Sequence, residues 1–263
     1  MRTLYPITEC VFLFPMDTSL QLIFHTFFHT LSPELLSFVL FSVAAIFLLF
    51  FLKVGGASGL FCFINLAYIT ANIQVLHTAQ FSFIGEPVAL GTVLFAMTYL
   101  ATDMLTEHYG AEKARKAVVL SFLTQIAFTL FMLITLAHAP LKNNTESVNT
   151  YGAMELLFMP APRLMIASLV AYFVSQFLDI WVFKKISDAT HTRFLWLRTG
   201  LATLLSALVD NILFSTLAWV VLSPHPVTAQ TLIFTYILGT YVARFFVSIL
   251  GIPLMYLSYF FKK

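Results

Sequence analysis

Three carboxylates and one guanidinium stand inside long apolar runs of this chain: Asp103, Asp179, Asp210 and Arg244, with Arg163 at the edge of another run. A charged side chain at mid-bilayer costs roughly 2.5–3.5 kcal/mol on insertion scales, so each of these needs a partner or a task. Amides accompany them: Asn65, Asn72, Gln125, Gln176 and Asn211. Carboxylates, amides and a guanidinium spread over separate helices are the means of gripping a small polar solute. A carboxylate accepts, a guanidinium donates, and an amide does both.

Spacing sorts them into faces. Glu107 lies four residues beyond Asp103, so both share one helix face near a basic stretch, Lys113, Arg115 and Lys116. Glu107 reads best as a salt bridge to that stretch, and Asp103, one turn deeper, either as part of it or as the lining of a polar cavity. Gln176 and Asp179 also share a face. Together they offer a donor, an acceptor and a negative charge to one ligand, unless Asp179 pairs with Lys184 or Lys185. Arg163 either serves a ligand or snorkels outward. Asp210 lies about a dozen residues into its run, roughly 18–20 Å deep. Nothing in its own helix neutralises it, so it either pairs with Arg244 or grips a ligand jointly with it. Asn65 and Asn72 share a face, where Asn either joins helices or touches ligand.

Several chemistries are missing. The chain has no phosphate-binding Gly-rich loop and no His-Glu-x-x-His zinc pair. Gly56-Ala57-Ser58-Gly59 reads as a turn rather than a serine-protease motif, and the aspartates lack the contexts of an intramembrane aspartyl protease. The expectation is a carrier rather than an enzyme, with no cofactor and no metal. A net charge of +2 without a basic patch argues against nucleic acid, and the separated Cys10 and Cys62 have no metal or disulfide spacing.

The elements that must hold these residues follow from composition. Of 263 residues, 60% are hydrophobic and 10% charged, against about a quarter charged in soluble domains. Mean hydropathy is +0.90. The fold class expected is an all-α integral membrane protein, with lipid as its solvent. A span needs about 20 apolar residues, which gives seven: 35–53, 58–80, 88–106, 116–138, 162–183, 197–222 and 231–261. Residues 1–34 read as an interfacial or partly inserted segment and not as a cleavable signal, and 35–263 as a single polytopic domain. A turn at Gly85-Glu86-Pro87 joins the second and third spans, and 139–161 is the longest loop. Ten Lys and Arg fall on one side of this arrangement and three on the other, which places the C-terminus in the cytoplasm.

Longer strings carry a resemblance. Thr70-Ala71-Asn72, then Ala101-Thr102-Asp103-Met104-Leu105-Thr106-Glu107-His108-Tyr109-Gly110 with Ala114-Arg115, resembles the queuosine precursor transporter family. So do Arg163 with Ala167-Ser168, Gln176 and Asp179; Trp196-Leu197-Arg198 with Thr203 and Asp210; and Tyr241-Val242-Ala243-Arg244 with Pro253 and Tyr256. Arg244 stands where that family commonly has Lys, Ala207 where it often has Gln or Asn, and Asn211 where it often has Thr. The match covers about residues 58–260 and implies a six-helix core (58–261) similar to the substrate-binding components of energy-coupling-factor transporters, with an added N-terminal helix. It implies import of a 7-deazaguanine (queuine, preQ1 or preQ0) across the cell membrane. The substrate-binding residues it implies are Asn72, Asp103, Arg163, Gln176, Asp179, Arg198, Asp210 and Arg244. An ATPase partner or a homodimer is left open.

Overall fold

The protein is described by a computed structural model covering residues 30–82, 88–159, 161–223 and 226–262, with the backbone alone for 161–163, 235 and 243. The expected N-terminal segment lies almost wholly outside these residues, as do the turn at Gly85-Glu86-Pro87 and the Arg163 side chain.

Helix α1 (Pro33–Gln74) begins where Ser32 accepts a hydrogen bond from the Leu35 amide and Pro33 occupies the first turn. Its 42 residues would reach about 63 Å if straight, twice a bilayer core of about 30 Å. Gly56 breaks it, with φ 56° and ψ −129°. The two limbs double back: the rings of Phe51 and Phe63 lie 6.3 Å apart, where a straight helix would separate them by about 18 Å. The two limbs correspond to the first two expected spans, joined at a sharp break rather than through a loop. Gly59 permits the close approach, since a Cβ there would meet the Phe51 carbonyl oxygen at 1.9 Å. We expect Gly59→Ala to destabilise the detergent-solubilised protein by about 1–3 kcal/mol. Gly55→Ala, which meets nothing within 4 Å, should leave its melting temperature unchanged.

A two-residue ladder pairs β1 (Thr78–Ala79) with β2 (Val88–Ala89), antiparallel, and leads into α2 (Thr92–Tyr109). Helix α2 is the centre of the bundle. Fifteen of its 18 residues are buried, Asp103 among them. Gly110, at φ 88°, turns the chain directly into α3 (Ala111–Leu136). The stretch expected as the longest loop instead folds as α4 (Thr145–Phe158), capped by the Asn144 side chain on the Ser147 amide. None of α4 is buried, and Tyr151 ties it to the Leu136 carbonyl. Helices α5 (Ala161–Ala189) and α6 (Leu195–Thr216) follow; α6 continues as a π-helical turn, Leu217–Val221. The last span runs from Ala229 through a π-helical stretch, Leu232–Gly239, into α7 (Thr240–Phe261).

Among the described residues five helices are long and apolar enough to cross a membrane, α1 counted once. Helix α2 falls outside that count because of its polar residues, which the surrounding helices cover. Large apolar side chains are exposed along the outer faces, such as Phe38, Ile46, Phe131 and Trp181. In water this would be a liability, and in lipid it is the expected surface. The chain is a multi-pass membrane protein of all-α class.

One end of the bundle gathers the break at Gly56, the turn at Gly110, the start of α6 and the end of α7. Glu107 forms an ion pair there with Arg198 at 2.5 Å and accepts a hydrogen bond from Tyr259. Glu107 was expected to pair with the basic stretch that follows it; its partner is on another helix. Arg198 also donates to the Thr192 carbonyl at 2.8 Å. That oxygen is presented by a turn in which His191 and Thr192 have positive φ. The guanidinium lies 5.4 Å above the Phe183 ring. Removing one member of a buried pair costs about 3–5 kcal/mol, because the other charge is stranded. We expect Arg198→Ala to melt at clearly lower temperature than wild type, and the double variant Arg198→Met/Glu107→Gln to recover most of the loss.

Candidate functional site

At the opposite end, five stretches of chain leave a cavity of about 230 Å³ between them. It is smaller than the roughly 300–1,000 Å³ of drug-sized sites. Asn72 comes from the end of α1, Phe95 from α2, Ser168 from α5, Asp210 and Asn211 from α6, and Arg244 from α7. Trp219 and Tyr236 line it from the two π-helical segments, their rings stacked at 4.7 Å.

The charges are built in. Arg244 and Asp210, both buried, form an ion pair across α7 and α6. The second Asp210 oxygen accepts from Ser175 at 3.1 Å, and the Tyr99 hydroxyl donates to Ser175 at 2.8 Å. The guanidinium lies 5.6 Å from the Phe95 ring centre, a cation–π contact. A carboxylate has about four lone-pair positions, so Asp210 retains accepting capacity. Arg244 Nε and Trp219 Nε1 are buried donors without a partner among the described residues. Such atoms are costly unless something fills the space beside them.

The amides divide the work. Asn72 donates to the Tyr68 carbonyl at 2.9 Å and accepts from Ser168 at 2.7 Å, joining α1 to α5 at the cavity wall. Among the described residues Asn65 bonds to its own helix, at the Phe61 carbonyl. Asn211 and Ser215 donate to the carbonyls of Ile237 and Tyr236 in the π-helical stretch.

The structure brings together Asn72, Asp210 and Arg244 of the residues expected at the site. Gln176, Asp179, Asp103 and Arg198 are buried but lie outside the lining of this cavity. Gln176 is held by α2, donating to Thr98 at 3.0 Å and accepting from Thr102 at 2.9 Å. Asp179 meets neither Lys184 nor Lys185; it faces Asp103 and Ser206. Arg198 belongs to the network at the other end. Reading residues by type passed over Trp219, Tyr236, Phe95 and Ser175. Trp219 carried one usable signal, being one of only three Trp in the chain and on the same run as Asp210.

A family described as "Putative vitamin uptake transporter" matches residues 89–258. The chain belongs to this vitamin uptake transporter family. A Bacillus subtilis relative named "Probable queuosine precursor transporter" is 35% identical over 212 residues, 80% of this chain and 88% of its own length. A Haemophilus influenzae relative with the same name is 26% identical over 129 residues, 49% of this chain and 51% of its own. No solved structure matches the chain. The family match takes in the elements from β2 to α7 that form the cavity, except Asn72 and the neighbouring end of α1.

Proposed function

We propose that this vitamin uptake transporter imports a queuosine precursor, a 7-deazaguanine, across the cell inner membrane, and that the cavity beside Asp210 and Arg244 holds it. The observation that carries this is the pairing of a carboxylate that can still accept with two unpartnered buried donors, Arg244 Nε and Trp219 Nε1, around one small hollow. A deazaguanine is flat, with ring N–H and amine donors beside a carbonyl. Asp210 accepts from its donor edge and Arg244 or Asn72 donates to its carbonyl. Phe95, Trp219 and Tyr236 supply aromatic faces for the ring. The name of the Bacillus subtilis relative supports the same substrate class.

The polytopic domain, residues 35–263, contains a six-helix core over 58–261 of the energy-coupling-factor type, with the first limb of α1 added to it. The ten-to-three distribution of Lys and Arg supports a cytoplasmic C-terminus and a cavity that opens outward. The chain works as a self-sufficient carrier, its states open to each side being shifted by the solute and its gradient. Uptake of labelled queuine by the reconstituted chain without ATP tests this, and a strict need for an added ATPase module would replace it with a capture subunit. The substrate is tested by expressing the chain in cells unable to make queuosine. Queuosine should then appear in their tRNA when queuine, preQ1 or preQ0 is supplied. Its absence with all three would refute the substrate class.

A further inference from the structure

The polar residues of α2, α5 and α6 continue past the cavity in layers one helical turn apart. Tyr99 and Ser175 form the layer next to Asp210. Asp103 is four residues beyond Tyr99 and Asp179 four beyond Ser175, so the next layer on the same faces is a pair of carboxyl groups. Both are completely buried and face each other across α2 and α5. Thr203 of α6 donates to one Asp103 oxygen at 3.4 Å. Ser206 flanks Asp179 but sends its hydroxyl hydrogen to the Ala202 carbonyl at 2.8 Å.

The charges around this pair are accounted for. Glu107, one turn further along α2, is held by Arg198 of α6 and Tyr259 of α7, and Arg244 of α7 by Asp210. His108 bonds to Ser258 of α7. The buried polar residues of α3 are uncharged: Ser121, bonded to Tyr172, Gln125 and Thr129. Among the described residues neither Asp103 nor Asp179 has a cationic partner. One Asp103 oxygen and both Asp179 oxygens have no hydrogen-bond partner among these residues. The neighbouring layer shows the contrast, since both ends of the Gln176 amide are satisfied by Thr98 and Thr102.

Two ionised carboxylates in contact in a dry interior repel strongly, and no cation offsets them. A proton shared between them removes the repulsion and supplies the missing donor, because a protonated carboxyl donates to the other's oxygen. We infer that Asp103 and Asp179 form a proton-binding site, which the transport cycle loads from one side of the membrane and empties to the other. This rests on the transport reading above. Loss of the proton makes α2 and α5 repel at the layer next to the one that touches Asp210, so the proton and the solute bias the same helix packing.

The test has two arms on the full-length protein. In detergent, infrared difference spectra should show the carbonyl stretch of a buried protonated carboxyl at neutral pH, absent from Asp103→Asn/Asp179→Asn. In liposomes, an outside-acid gradient of one pH unit should drive labelled queuine to about ten-fold accumulation, for one proton per solute. A protonophore should abolish that accumulation, and a sodium gradient should not replace it. Absence of the infrared band overturns the proton site, as does accumulation that ignores pH or follows sodium. If queuine neither binds nor enters while the band is present, the substrate reading fails and the proton site stands. If the double variant does not fold, the wild-type band and the wild-type response to pH decide.

Discussion

Arg244→Met is expected to lower queuine uptake by two orders of magnitude or more. The substitution keeps an unbranched stem that reaches about as far as Nε, so the space it leaves is that of the guanidinium head. What it removes is the cation paired with Asp210, a carboxylate buried on α6. Stranding such a charge costs about 3–5 kcal/mol, a factor of about 150 or more in an equilibrium constant. It also removes a donor, Arg244 Nε, which has no partner among the described residues, at the cavity wall. Arg244→Lys should retain measurable uptake, because a point charge remains even though the planar fork is lost. The decisive comparison is initial uptake by the two variants at equal abundance in the membrane. Equal, wild-type-like rates would remove Arg244 from the site.

Trp219→Ala should raise the dissociation constant for queuine about 5- to 150-fold, the range of about 1–3 kcal/mol per base found for aromatic stacking. Trp219 stacks on Tyr236 with an interplanar angle of 23° and lines the cavity. Losing it removes one flat face and frees Tyr236 to turn. Trp219→Phe keeps a ring but not the indole N–H, so it should fall between wild type and Ala. Isothermal titration of purified protein with queuine reads this directly. Affinity unchanged in both variants would mean that the ring lies elsewhere.

How much of this could be read from the sequence depended on depth and on spacing. Asp210 and Arg244 were legible because each is too far inside an apolar run to reach water, so a pairing between them was one of the few solutions available. The Gln176 and Asp179 spacing also gave a correct face, but a face is not a neighbour. Gln176 meets Thr98 and Thr102, and Asp179 meets Asp103, because the packing of α2 against α5 assigns them to different layers. The helical character of 145–158 was missed although its signal is present: Asn144 as a cap, with Glu146 in the first turn. Trp219 and Tyr236 come together only through two π-helical segments, which no spacing of residue types announces. The kink in α1 was half legible. Gly56 and Gly59 suggested a turn, but the close contact with Phe51 depends on how the limbs fold.

The stretch Leu232–Gly239 has one further consequence. A π-turn holds one residue more than an α-turn, so its surplus carbonyls look for outside donors, and Asn211 and Ser215 provide them. Were those two bonds released and one wide turn tightened to ordinary winding, everything downstream would swivel by about 100° around the helix axis. Arg244, five residues past that stretch, would be carried away from Asp210 like a key turned in a lock. Such a change would give the last helix a rotary adjustment within its own winding, with two short polar side chains on the neighbouring helix as its latch.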